Sequence, residues 1–129
     1  MLLDSTILID FLRREERALN FIAKCSESLF TTELNIFELI TGIYFDGVDV
    51  KKRMDSVSSL GDRLIVLPLD RKATLKAAEI SGKLLSIGKK IESVDCLIAG
   101  IALTNNINRI VTANISHFER IKEIKIVTY

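Results

Sequence analysis

Three carboxylates occupy stretches that otherwise read as hydrophobic core. Asp4 follows Met1-Leu2-Leu3 and precedes Ser5-Thr6-Ile7-Leu8-Ile9-Asp10. Glu38 lies within Leu34-Asn35-Ile36-Phe37-Glu38-Leu39-Ile40, and Asp95 within Ser93-Val94-Asp95-Cys96-Leu97-Ile98-Ala99. A buried charge is costly unless it is paired or binds a metal. None of the three stretches contains a Lys or Arg. A fold that buries these acids together therefore needs a counter-charge, and oxygen ligands suit a divalent cation.

The rest of the chain alternates strand and helix signals, the pattern of an α/β domain with a mostly parallel sheet. Met1 to Asp4 reads as a short buried strand running into a helix, which Ser5 or Thr6 can cap. A second helix follows the charged break Arg13-Arg14-Glu15-Glu16-Arg17. Ser28 to Thr32 is a strand candidate. Thr32 can cap a helix over 33–45, with Leu34, Phe37, Ile40 and Tyr44 on one side and Gly47 as its stop. The expected capping box is incomplete, because Asn35 stands where Glu or Gln would complete it. A charged helix spans 50–60, a strand 64–67, and a long helix capped by Asp70 runs to about Ile87. Ser93 is the expected cap of the Asp95 helix, and strands are expected at 109–112 and 124–127. No repeat or linker divides residues 1–129, so one domain is expected.

Bulk composition excludes some functions. The net charge of +1 gives no global attraction to polyanions or membranes. No apolar run approaches the ~20 residues that span a bilayer, and the N-terminus lacks the basic lead of a signal peptide. Cys25 and Cys96 match no metal-site spacing and are expected to be free, buried thiols. A cytoplasmic protein is the expectation.

Position argues that the acids converge. In an open parallel sheet, ligands collect beyond the carboxyl ends of the strands. Asp4 ends the first strand, and Asn114 lies just beyond the strand that ends near Thr112. Asp95 falls in the first turn of its helix, where the dipole favours a negative charge. Two like charges about 4 Å apart repel by roughly 4 kcal/mol at an effective dielectric near 20. Either one carboxyl holds a proton, or Mg²⁺ or Mn²⁺ joins Asp4, Glu38 and Asp95. Such an ion makes bound water a better nucleophile and stabilises charge on a phosphate.

Four segments, in order, resemble the PIN-domain family, most closely its VapC-type toxin ribonucleases. They are Leu3-Asp4-Ser5-Thr6 with Ile9-Asp10, Glu38-Leu39, Val94-Asp95-Cys96-Leu97-Ile98-Ala99, and Val111-Thr112-Ala113-Asn114 with His117-Phe118. The resemblance implies a three-layer α/β/α sandwich around a short, mostly parallel sheet. It also implies Mg²⁺- or Mn²⁺-dependent hydrolysis of RNA phosphodiesters, a homodimer, and inhibition by a cognate antitoxin. Asp4, Glu38 and Asp95 match the family's acidic set. Asn114 matches a fourth position that is Asp in many members and Asn in others, so the number of metal ions stays open. Ser5, Thr6 and Thr112 match hydroxyl positions that orient a carboxylate or a metal-bound water. His117 falls where many members carry another acid.

The remaining candidates read more simply. A metal already activates water, so no general base is required of His117, the only histidine. A structural or substrate-side role is expected for it. Asp10 is expected to face solvent or a basic neighbour. An RNA substrate needs phosphate contacts, and Arg13 and Arg14, after the first helix, are the expected ones. Two alternatives stand beside the toxin reading: a PIN nuclease of RNA maturation, and a binding module that keeps the fold without chemistry.

Overall fold

The computed structural model describes residues 1–129. Five very short strands are threaded between helices. The order is β1 (Leu2–Leu3), α1 (Ser5–Leu12), α2 (Glu16–Lys24), β2 (Phe30–Thr32), α3 (Glu33–Asp46), α4 (Val50–Gly61) and β3 (Ile65–Leu67). Then follow α5 (Arg71–Ser86), α6 (Ser93–Thr104), β4 (Arg109–Val111), α7 (Ile115–Phe118) and β5 (Lys125–Val127). All pairings are parallel and the strand order is β3-β2-β1-β4-β5. The chain starts at the centre of the sheet, winds outward through β2 and β3, then returns to the other side of β1 for β4 and β5. The gap between β1 and β4 is thus the switch point where such sheets take ligands.

Alternation along the strands builds the layers. Leu2 and Ile110 face a core completed by α5, α6 and α7 residues, among them Ala77, Ile98, Ile101 and Phe118. Leu3 and Val111 face the opposite core, with Ile7, Leu8, Ala18, Leu39 and Leu60. The result is the expected α/β/α sandwich. Strands of two or three residues hold because both faces are covered. No helix is long and apolar enough to cross a membrane.

Several local expectations give way to tertiary packing. Asp4, rather than Ser5 or Thr6, is the N-cap residue of α1, and its side chain makes no capping bond. Its oxygens are engaged across the sheet instead. Glu92 precedes α6 and Ser93 is its first helical residue. The buried face of α3 is Asn35, Leu39 and Ile43, whereas Phe37 and Tyr44 are each 64% exposed. Apolar residues occur all round this helix, so period alone does not choose the inward stripe. Cys96 is buried but Cys25 is only half-buried; both are free. Asp10 is partly exposed and accepts from Tyr129 Oη at 2.8 Å, a contact the sequence does not suggest. Burial and this carboxylate push the Tyr129 hydroxyl up to about 12. The short helix α7 has no signal in the residue pattern. The caps at Thr32 and Asp70 and the left-handed stop at Gly47 fall where the sequence places them.

Gly100 sets the approach of α6 to α5. A Cβ there would lie 2.6 Å from the Ala73 carbonyl oxygen and 2.9 Å from Ala77 N and Cβ. Two of those atoms are backbone, so relief requires moving a helix. Gly100→Ala is expected to cost about 2 kcal/mol, in the range for overpacking. Denaturant unfolding checks this: an unchanged midpoint would show that α5 yields freely.

Candidate active site

Asp4 projects from the carboxyl end of β1 into a cage drawn from three segments. Thr112 Oγ1, just after β4, donates to Asp4 Oδ2 at 2.7 Å. Thr6 Oγ1, in the first turn of α1, donates to the same oxygen at 3.1 Å. Asn35 Nδ2, from α3, donates to Oδ1 at 3.0 Å. Asn35 is held in turn: Thr32 Oγ1 donates to its Oδ1 at 2.6 Å and accepts from its backbone N–H at 3.1 Å. Thr31 Oγ1 donates to the Leu3 carbonyl at 3.0 Å, tying β2 to the residue before Asp4. Asp4, Thr31, Thr32, Asn35 and Thr112 are all buried. Neutral donors thus hold the Asp4 carboxylate without cancelling its charge, and Oδ1, with one donor against two on Oδ2, keeps lone-pair capacity for a cation.

Asp95 enters from the first turn of α6. His117 Nδ1 lies 2.5 Å from its Oδ2 and 3.0 Å from Asn114 Nδ2; the ring nitrogen donates to an ionised Asp95 and accepts from a protonated one. Asn114 Nδ2 points at the same oxygen from 3.4 Å. Asn114 precedes α7 and His117 lies within it, so the loop after β4 supplies partners to both Asp4 and Asp95. Burial pushes the Asp95 carboxyl up; the His117 contact draws it partly back and the charge of Asp4 raises it again.

Glu38 completes the group from α3. Its Oε2 is buried without any hydrogen-bond partner. Burial raises this carboxyl, the nearby Ser5 hydroxyl offsets part of the rise, and the charges of Asp4 and Asp95 push it further. The three acids therefore act on one another from three different elements. No three acidic, histidine or cysteine side chains form a ready-made ligand cluster in these rotamers. The donor chemistry nevertheless suits a hard divalent cation: carboxylate oxygens, one of them orphaned, with no cationic side chain besides a protonatable imidazole.

A PIN-domain family model matches residues 1–124. The chain is 34% identical to the plasmid stability protein StbB of Pseudomonas syringae pv. tomato, over 81% of each sequence. The chain belongs to the PIN-domain family. Solved PIN structures share its fold. A VapBC2 structure from Rickettsia felis bound to a promoter DNA fragment matches with a TM-score of 0.89 at 21% identity, covering 99% of this chain and 97% of that one. A DNA-bound VapBC structure from Salmonella typhimurium matches with a TM-score of 0.85 at 26% identity, covering 98% and 96%. Mycobacterium tuberculosis VapC20, described as a Sarcin-Ricin loop cleaving toxin, matches at 0.68 with 12% identity, covering 84% and 85%.

Within this PIN domain, Thr6 and Thr112 bind the Asp4 carboxylate, and Ser5 stands by Glu38. Asn114 and His117 both reach Asp95, so His117 belongs to the site's hydrogen-bonding shell. Arg13 opens on a cavity of about 190 Å³ that Glu38 also lines. Arg14 lies further away, in a neighbouring cavity. The residue that sequence reasoning misses is Asn35, which reads as a failed capping box. A buried Thr-Thr-x-x-Asn run at a strand-to-helix junction is the available signal.

Two outcomes test this geometry. Asn35→Ala removes the Oδ1 donor of a buried carboxylate and is expected to destabilise the fold by about 2 kcal/mol, measured by denaturant unfolding. Glu38 and Asp95 titrate above their ordinary values in the fold, so the native protein keeps protons that the unfolded chain has released. In chelator, the contribution of these two carboxyls to stability is therefore fullest at acid pH and is lost as pH rises from their ordinary values of 3.8 and 4.5 through the raised ones. Glu38→Gln is expected to flatten that fall and raise the metal-free Tm at neutral pH. A lower Tm in the variant would contradict it.

Proposed function

We propose that this PIN domain is a divalent-metal-dependent endoribonuclease and the toxin of a toxin–antitoxin pair. The observation that carries the proposal is the electrostatic group of Asp4, Glu38 and Asp95, buried around an unpartnered carboxylate oxygen. Kinship with a plasmid stability protein, the VapBC-type fold and the likeness to an RNA-cleaving toxin support the same reading.

Asp4, Glu38 and Asp95 would hold Mg²⁺ or Mn²⁺. The ion, when bound, would lower the pKa of water and stabilise charge on the scissile phosphate. The chain's own part is positional. Thr6, Thr112 and Asn35 fix both oxygens of Asp4, so that carboxylate need not reorganise during reaction. Asn114 and His117 orient Asp95, and Ser5 steadies Glu38. Arg13, which lines the same cavity as Glu38, would meet a substrate phosphate. Attack by water at phosphorus would leave a 3′-hydroxyl and a 5′-phosphate.

An antitoxin protein and a second copy of the chain are the proposed partners. Phe37, Tyr44 and Phe45 of α3 and Leu75 and Leu85 of α5 are exposed, Phe45 by 89%. Such exposure on both helices supports a self-associating face, and a monomeric mass in solution would contradict it. One observation favours the non-catalytic alternative: His117 and Asn114 already engage Oδ2 of Asp95. Calorimetry with Mn²⁺ separates the two readings, because a binding module without a metal site would show no heat and no thermal stabilisation.

Asp4→Asn is expected to slow Mg²⁺-dependent RNA cleavage by roughly 100-fold or more, the scale of losing one preorganised electrostatic contact. A purified variant that cleaves labelled RNA as fast as wild type would remove Asp4 from the mechanism.

A further inference from the structure

We propose that Tyr129 and Asp10 are positioning residues of the carboxylate site. Their hydrogen bond docks α1 so that Thr6 holds Asp4, and this hold sets how tightly the site binds its divalent ion. The inference rests on the metal-binding part of the ribonuclease reading and extends it to two residues outside the pocket.

The first helix needs an external hold. It has eight residues, and isolated helices shorter than about 12 are marginal. Asp4, its N-cap residue, makes no capping bond, and its first turn carries no acidic residue. That same turn carries Thr6, whose hydroxyl donates to Asp4 Oδ2 at 3.1 Å and accepts from the Ala113 N–H at 3.0 Å. Both bonds persist only while α1 keeps its place against the loop after β4.

Asp10 supplies that hold. It follows Thr6 by four residues and so lies on the same face of α1. Its Oδ2 accepts from Tyr129 Oη at 2.8 Å. Tyr129 follows β5, and all the pairings are parallel, so it emerges at the edge of the sheet from which Asp4 projects. Its ring meets Phe21 of α2 edge-on, with centroids 6.4 Å apart, and packs on the core that holds Ile7 and Leu8. Packing alone would be served by a phenyl ring; only the hydroxyl reaches Asp10.

The same segment steers the second hydroxyl on Asp4 Oδ2. Thr112, which donates to that oxygen from Oγ1, gives its backbone N–H to the Val127 carbonyl at 3.3 Å. Residues 127–129 therefore act on both hydroxyl donors, on Thr112 through the main chain and on Thr6 through α1. The Thr6 hydroxyl also lies near enough to Tyr129 to draw the raised phenol partly back down. With Oδ2 fixed from both sides, the carboxylate need not rearrange when an ion binds, and preorganisation of this kind strengthens binding.

Mn²⁺ calorimetry on the whole chain tests the proposal, with thermal unfolding in chelator to confirm that each variant is folded. Tyr129→Phe keeps the ring and removes only the hydroxyl. Its Mn²⁺ affinity is expected to fall roughly five-fold, the scale of one net hydrogen bond. Asp10→Leu is expected to give the same loss, and Asp10→Asn, which keeps an acceptor oxygen, to restore most of the affinity. On a Thr6→Val background, Tyr129→Phe is expected to cost nothing further, because residues acting through one contact are not additive. Unchanged affinity in Tyr129→Phe overturns the proposal, even where the Tm falls, and leaves Tyr129 a packing residue. Equal losses in Asp10→Asn and Asp10→Leu overturn it too, since Asp10 would then act by its charge. A full further loss on the Thr6→Val background overturns the route through Thr6. Wild type that binds no Mn²⁺ removes the metal reading and this inference together, whereas the variant outcomes bear on this inference alone.

Discussion

The Asp4 carboxylate is the point on which the structure turns. It is buried at the carboxyl end of the central strand, and its three side-chain donors come from α1, α3 and the turn after β4. An unpartnered charge at that depth would cost several kcal/mol. The cage therefore does two jobs: it makes the charge tolerable, and it ties together the elements that carry the rest of the site. The donors are neutral, so the carboxylate remains a usable ligand instead of being neutralised in an ion pair.

Glu38 and Asp95 are treated differently, and the difference is informative. Neither receives a comparable cage. Burial and the neighbouring negative charges hold both carboxyls above their ordinary range. Glu38 keeps an unpartnered buried oxygen, an arrangement that weakens the free protein and that a purely structural network would avoid. His117 provides a reversible partner for Asp95. The site is thus incomplete by itself in a way that a divalent cation would complete, and fold stability and ligand affinity are linked at the same atoms.

Much of this is legible along the chain. Apolar flanks single out Asp4, Glu38 and Asp95, and the alternation of strand and helix signals points to the layered architecture. Thr32, Gly47 and Asp70 mark helix ends because capping is local: a side chain meets backbone three residues away. The failures share an opposite cause. Asn35 reads as a broken capping box, yet its side chain bonds to Asp4 at the end of β1; Thr6 reads as a cap, yet its hydroxyl accepts from the Ala113 N–H beyond β4. Ser5 likewise reads as a cap but stands by Glu38 of α3. The inward stripe of α3 is ambiguous since apolar side chains surround that helix, and only neighbouring α1 and α4 decide which face is covered.

By itself, the order of residues determined which groups carry charge, which segments are apolar enough to be buried, and the helix ends that a local cap or stop marks, at Thr32, Gly47 and Asp70. Those properties depend on the side chain and its near neighbours. Tertiary structure alone decided that Asn35 and Thr112 serve Asp4, that His117 serves Asp95, and that Arg13 and Arg53 border the cavity beside Glu38. Parallel strands require long crossovers, so residues more than a hundred positions apart, such as Asp4 and Thr112, meet only after the sheet has formed. Nothing local encodes that meeting, because its energy is that of closing the whole domain around one buried carboxylate.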